Sequence, residues 1–313
     1  MKKTPYEVEI TEVGPRDGLQ AEAHFLPTEQ KIELINNLIG AGLRRIEFSS
    51  FVSPRAVPQL ADAEDVIAGV KRSPDVILTA LVPNARGAAR AAEAGVDEFV
   101  VFVSASESHN RKNVNCSIAD SLAGFQNVAG IADEAGIPVR GAIATAFGCP
   151  FEGDVPLEQL SDIAMQFRDL GFTGYVLGDT TGMATPPLVS AACSHLSNEV
   201  PDMELGLHFH NTRGIGLCNV MAGLEAGIRK YDSSIGGLGG CPFAPAATGN
   251  ICTEDLVYLL HEMGIETGLD LPKLMEIAQK MEELLGHKLP GQIMKAGLRL
   301  DLHPIDAVQA AAG

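Results

Sequence analysis

An amphipathic stretch that closes on glycine and an apolar residue, then passes at once into a short β-rich run, recurs along this chain. It appears as Ala41-Gly42-Leu43 before Arg45-Ile46-Glu47-Phe48, as Ala94-Gly95-Val96 before Phe99-Val100-Val101-Phe102, and as Ala135-Gly136-Ile137 before Val139-Arg140-Gly141-Ala142-Ile143. It returns as Leu170-Gly171-Phe172 before Gly174-Tyr175-Val176-Leu177, and as Ala226-Gly227-Ile228 before Tyr231-Asp232-Ser233-Ser234. Glycine just beyond a helix accepts a left-handed conformation, so each instance reads as a helix stop followed by a strand start. Further strand patterns lie at 6–13, where Tyr6, Val8 and Ile10 alternate with Glu7 and Glu9, and at 76–82 and 204–210. The intervening segments carry helical periodicity, as in Ile32, Ile35, Leu38 and Ile39 after Thr28 as the expected N-cap, and Ile118, Leu122 and Phe125 after Ser117.

Alternating βα units in this number predict an α/β fold, a (β/α)8 TIM barrel, over about residues 6–265. An open doubly wound sheet is the rival, but Gly14-Pro15-Arg16-Asp17-Gly18 after the first strand is not its phosphate fingerprint. Beyond residue 265 one more helical stretch (Leu274, Ile277, Met281, Leu285) precedes an alanine-rich end. The expectation is one domain over 1–313, with a C-terminal helical extension at about 266–313.

Composition narrows the class. With 46% hydrophobic and 20% charged residues, the chain can bury a large core. Its net charge of −17 argues against nucleic-acid or acidic-membrane surfaces, which need clustered Lys and Arg. A phosphate-bearing ligand would rely on local cations such as Arg111 and Lys112. Six scattered cysteines without a CxxC pair fit a reducing compartment. The start lacks an apolar signal core, and no run reaches the roughly 18 apolar residues of a membrane span, so a cytoplasmic protein is expected.

Barrel chemistry collects at the C-terminal ends of the strands. There the chain offers Arg16-Asp17 after strand 1, Glu47 on strand 2, His208-Phe209-His210-Asn211 at strand 7, and a glycine-rich segment with Cys241 and Asn250 after strand 8. His208 and His210, two apart on a strand, point to one face and suit a shared metal ion. Asp17 can add a carboxylate and Asn250 a carbonyl oxygen. Such mixed ligation favours Mg2+ or Mn2+ without excluding Zn2+. Arg16 reads either as a salt-bridged turn residue or as a cation aimed at developing negative charge. Glu47 falls on the opposite face from Ile46 and Phe48, directed into the barrel, where Arg16 is the obvious partner. Gly236 to Pro242 reads as a floppy connection, a phosphate nest or, preferably, a loop closing over the site. Cys241 within it is either an ordinary or a catalytic thiol.

Taken together, Glu12-Val13-Gly14-Pro15-Arg16-Asp17-Gly18-Leu19-Gln20, Ile46-Glu47, Ser50-Phe51-Val52-Ser53-Pro54 and Lys112-Asn113-Val114-Asn115-Cys116-Ser117 resemble the hydroxymethylglutaryl-CoA lyase family. The resemblance continues through Leu177-Gly178-Asp179-Thr180, Gly236 to Pro242, Gly249-Asn250 and Thr253-Glu254-Asp255-Leu256-Val257-Tyr258, covering about residues 6–290. It implies a divalent metal on Asp17, His208, His210 and Asn250, an enolate stabilised by Arg16 and Glu47 holding that arginine. It also implies Cys241 in proton transfer, Asn113, Arg140 and Thr180 near the acyl-CoA, and Glu254 as a supporting carboxylate. The implied reaction is cleavage of a 3-hydroxy-3-methylglutaryl-CoA thioester to acetoacetate and acetyl-CoA, as in leucine degradation, by a homodimer. Only small-molecule partners are expected.

The chain departs from the family pattern at Val176, where a small hydroxyl residue is expected, and at Asn211 and Arg213, expected as Asp and an aromatic. These positions, expected near the metal or acyl group, keep a related 3-hydroxyacyl-CoA open as substrate. Condensing synthases of the isopropylmalate type share the Arg-Asp and His-x-His elements, but typically carry a further C-terminal region and lack the cysteine loop. A barrel kept only as a scaffold would show gaps in the ligand set, and none is seen.

Overall fold

The computed structural model describes residues 8–240 and 249–302. Eight parallel strands, β1 (Glu9–Glu12), β2 (Arg45–Ser50), β3 (Ile77–Leu81), β4 (Glu98–Ser104), β5 (Val139–Ala144), β6 (Gly174–Asp179), β7 (Glu204–Phe209) and β8 (Lys230–Ser233), close in sequence order, with β8 paired to β1. This is the (β/α)8 barrel that the recurring helix stops imply. Gly42, Gly95, Gly136, Gly171 and Gly227 all take positive φ, from 68° to 106°, where a Cβ would be strained.

The helices are α1 (Thr28–Gly40), α2 (Ala63–Gly69), α3 (Ala85–Glu93), α4 (Glu107–Val114), α5 (Ile118–Ala135), α6 (Leu157–Asp169), α7 (Pro186–Glu199), α8 (Gly216–Glu225), α9 (Thr253–Glu262), α10 (Leu271–Leu285) and α11 (Ile293–Ala296). Ser117 caps α5 as expected, accepting the Asp120 amide while the Asp120 carboxylate accepts from Ser117. Thr28 does not cap α1. It is the first helical residue behind Pro27, and its hydroxyl donates to Asp62 at 2.8 Å instead. Pro27, already extended, ends the incoming chain without a side-chain cap. The short α4 between β4 and α5 has no counterpart in the sequence reading; it presents Asn113 and ends at Asn115 in a left-handed conformation.

Alternation along the strands sorts two populations. Ile46, Phe48, Phe99, Val101, Tyr175 and Leu177 are buried under the helices, whereas Glu47, Glu98, Val100, Ala142 and Val176 line the barrel interior. Gly141 shows how tightly the outer layer packs, since a Cβ there would meet the Phe167 ring of α6 at 2.2 Å.

The N-terminal end of the barrel is closed by charge rather than by apolar side chains. Glu9 pairs with Arg45 at 2.9 Å and with Lys230 at 3.2 Å, and Arg45 also pairs with Glu98. Lys230 reaches Glu204 at 2.7 Å, which lies 3.3 Å from Arg140. These six residues stand first or second in their strands and balance in sign, so each buried charge finds an opposite one. Arg45→Met would leave Glu98 without that partner, and we expect a loss of about 3 kcal/mol in urea unfolding at neutral pH. An unchanged midpoint would show that the floor contributes nothing to stability.

Candidate active site

The site begins with a turn. After β1, the Val13 carbonyl accepts the amides of Arg16, Asp17 and Gly18 at 3.1, 2.7 and 3.4 Å, wrapping Gly14–Gly18 into a single wide π-type turn. Pro15 suits it, because the first turn of a helix needs no amide there. The turn sets both Arg16 and Asp17 on the wall of the barrel cavity. Arg16 Nη1 donates to Asp17 Oδ1 at 2.5 Å, and Nη2 donates to Glu47 Oε2 at 2.7 Å. The register between β2 and β3 slips just after Glu47, a bulge of the kind that re-aims a side chain.

On β7 and just beyond it, with β8 between them and β1, the His208 and His210 rings stand 5.2 Å apart. His208 Nδ1 lies 3.2 Å from Asp232 Oδ2, its register partner on β8. His210 Nε2 is 3.9 Å from Asp17 Oδ2. Asp17, His208 and His210 each bring a ligand-capable atom within 4.8 Å of the others. Asn250 joins them through an antiparallel bridge to His210. Its Nδ2 donates to Asp17 Oδ2 at 2.8 Å and to the Leu238 carbonyl at 3.1 Å. That leaves its Oδ1 buried without a hydrogen-bond partner among the described residues, and the same is true of His210 Nδ1. A buried acceptor with nothing to accept from is costly unless a ligand meets it. The donor set of two imidazoles, one carboxylate and an orphaned amide oxygen therefore fits a divalent cation.

The electrostatics agree with that chemistry. Burial would raise Asp17, but Arg16, His208 and His210 outweigh it and hold the carboxyl well below its usual range. Burial, then the neighbouring His208, pushes His210 down to about 4, so this imidazole is neutral with a lone pair to give. His208 moves the other way: burial opposes charge, but the bond to Asp232 and the charges of Asp232 and Asp17 raise it. Arg16, despite burial, is held charged by Glu47 and Asp17.

The cavity measures about 790 Å³ and runs from the ionic floor to the mouth. Thr180 and Asn113 line it, Asn113 from the exposed end of α4. The Thr180 hydroxyl also accepts the amide of Thr145, which sits at a positive φ of 56° after β5. Arg140 lines the deep end, held by Glu204 on the floor. Cys241 lies outside the described residues. Asp232 was missed in the sequence, where one acid in Lys230-Tyr231-Asp232-Ser233 carries no signal until β7–β8 pairing sets it opposite His208.

Residues 7–281 match the HMGL-like family model. The chain is 46% identical to the cytoplasmic 3-hydroxy-3-methylglutaryl-CoA lyase of Danio rerio, over 95% of this chain and 88% of that protein. It is 46% identical to a hydroxymethylglutaryl-CoA lyase of Bacillus subtilis, over 92% and 96%. The chain belongs to the hydroxymethylglutaryl-CoA lyase family. A solved lyase of this family from Acinetobacter baumannii, in complex with coenzyme A and 3-methylmalate, superposes with a TM-score of 0.91 at 47% identity, covering 95% of this chain and 97% of that one.

Within this lyase family pattern the three departures separate. Val176 lines the cavity. Asn211 and Arg213, expected near the metal or acyl group, turn elsewhere. Asn211 Oδ1 accepts the Gly216 amide at 3.0 Å at the start of α8, and Arg213 Nη1 donates to the carbonyls of Thr181 and Gly182 at 2.9 and 2.6 Å. A tight Thr212-Arg213-Gly214 turn directs them to the backbone of neighbouring loops, so they brace the site without lining the cavity.

Proposed function

We propose that this lyase family member cleaves 3-hydroxy-3-methylglutaryl-CoA to acetoacetate and acetyl-CoA, with Mg2+ or Mn2+ held by Asp17, His208, His210 and Asn250. The observation that carries this reading is the convergence of Asp17, His208 and His210 within 4.8 Å, with the doubly paired Arg16 beside them. When bound, the ion supplies Lewis acidity that eases ionisation of the substrate's C3 hydroxyl.

The residues then divide the work. The hydroxyl proton passes to Asp17, His208 or a water held by them. The C2–C3 bond breaks, C3 becomes the ketone of acetoacetate, and the electron pair moves into the thioester as an enolate. Arg16, its guanidinium fixed by Glu47 and Asp17, holds the negative charge on the thioester oxygen. A proton returned to C2 completes acetyl-CoA, and by family resemblance Cys241 takes part in that transfer. Asn113 and Thr180 bind toward the acyl-CoA portion from the mouth, and Arg140 acts from below. A homodimer in the cytoplasm, serving leucine degradation, completes the proposal. The zebrafish relative is a cytoplasmic form, and the cysteines among the described residues are all unpaired. No helix among the described residues is long and apolar enough to cross a membrane. Val176 in the cavity wall supports a second reading, a related 3-hydroxyacyl-CoA with a different C3 substituent.

The test is acetoacetate formation from 3-hydroxy-3-methylglutaryl-CoA by purified protein. We expect excess chelator to lower the rate by at least about 10³-fold and Mn2+ or Mg2+ to restore it. Intact Mn2+ binding without cleavage would overturn the substrate assignment and favour the second reading. Chelator-resistant turnover would overturn the metal.

A further inference from the structure

One carboxylate oxygen behind the site joins the two turns that carry its parts. Glu12, the last residue of β1, is fully buried on the same face as Ile10. Its Oε1 accepts from two amides, Gly14 and Ile235, each at 2.8 Å, and its Oε2 accepts from the Thr253 hydroxyl at 2.6 Å. Gly14 opens the turn that presents Arg16 and Asp17. Ile235 opens the turn Ile235–Gly237, which leads to Leu238. The Leu238 carbonyl accepts Asn250 Nδ2, and the same nitrogen donates to Asp17 Oδ2. The result is a closed circuit, from Glu12 through the first turn to Asp17, across to Asn250, and back through Leu238 and Ile235 to Glu12.

The two turns also touch directly, and they touch at glycines. A Cβ on Gly14 would lie 2.6 Å from Glu12 Oε1 and 3.0 Å from Ser234 Oγ, and one on Gly18 would lie 2.7 Å from Leu238 Cβ. The second turn is backed from its far side. Glu254 Oε2 accepts the Gly236 amide at 2.9 Å, the Gly236 carbonyl accepts the Gly291 amide at 3.1 Å, and Leu289 covers Gly236. A turn pressed between Glu12 and the C-terminal segment has little room to move, so the length of the Glu12 bridge is passed on to what the turn carries.

We propose that Glu12 is a positioning residue for the metal centre, its Oε1 setting the separation of Asp17 from Asn250. Glu12 does not line the cavity and bonds to no ligand side chain; it acts through the backbone of both turns. The arrangement explains why a carboxylate is kept in a fully buried place, where burial pushes it up to about 7 against three hydrogen bonds, from Thr253, Ile235 and Gly14. It rests on the reading of Asp17 and Asn250 as metal ligands.

The test is Mn2+ affinity of the metal-stripped protein, read by the electron paramagnetic resonance of free Mn2+, with thermal midpoints recorded in parallel. Glu12→Gln keeps an oxygen for both amides, and the Thr253 hydroxyl can turn to Ser233, 2.8 Å away, so its affinity should stay within about threefold of wild type. Glu12→Ala removes the bridge and should weaken Mn2+ by about 10-fold or more. Gly18→Ala should do the same by wedging the turns apart, and at a φ of −63° alanine adds no backbone strain. Wild-type affinity in folded Glu12→Ala, or in Gly18→Ala if the first variant does not fold, would overturn the proposal. Loss in Glu12→Gln equal to that in Glu12→Ala would overturn it too. A wild-type protein that binds no Mn2+ would instead refute the metal reading on which it stands.

Discussion

Arg16→Gln is expected to lower kcat by at least about 10³-fold while leaving Mn2+ affinity within a small factor of wild type. The guanidinium is locked by Glu47 Oε2 at 2.7 Å and Asp17 Oδ1 at 2.5 Å, so it is in place before charge develops and need not reorganise when the enolate forms. The ground-state thioester is neutral and gains little from that cation. Loss should therefore fall on kcat, with KM little changed. Glutamine can still donate to Glu47, which avoids stranding a buried carboxylate and confusing catalysis with unfolding. Lysine would not substitute, because a single ammonium cannot meet both carboxylates in the fork geometry. Single-turnover kinetics and Mn2+ titration on the same sample check the division of roles. Metal loss matching the loss of rate would place Arg16 with the ion instead of the enolate.

The barrel was legible because its punctuation is local. Each Gly of the Ala-Gly or Leu-Gly stops takes the positive φ that the sequence demanded, and that alone separates helix from strand. The site was legible where chemistry is concentrated in neighbours, as in Arg16-Asp17 and His208-x-His210, or where alternation aims a charge into the barrel, as at Glu47. What stayed hidden depends on which strands lie side by side. Asp232 became a partner of His208 only through the β7–β8 register. Glu12 was passed over although it shares the face of Ile10, where a carboxylate among apolar positions is the anomaly that should have marked it. Asn211 and Arg213 failed in the opposite sense. The family pattern suggested nearness to the metal or acyl group, but a tight turn after β7 carries their side chains to neighbouring loop backbone. The Thr28 cap failed because a helix start can be set by a preceding proline, leaving the hydroxyl for Asp62.

Asp17→Ala is expected to remove both metal binding and turnover, with Mn2+ affinity falling by on the order of 10²-fold or more. Asp17 is the only carboxylate in the ligand cluster found among the described residues, so its loss leaves two imidazoles and an amide oxygen to hold a hard cation. It also orients Asn250 through the 2.8 Å bond from Nδ2, so the orphaned Oδ1 would lose its aim. The contrast that makes the result diagnostic is Asp232→Ala. Asp232 lines the cavity too but stands outside the ligand cluster, where it holds His208 through Nδ1, and its removal should weaken Mn2+ by about 10- to 100-fold without abolishing binding. Mn2+ titrations of both variants beside wild type distinguish the two roles. Asp17→Ala with near-normal Mn2+ affinity would show that the cation sits on the histidines and Asn250 alone, and would leave Asp17 as the proton acceptor for the C3 hydroxyl.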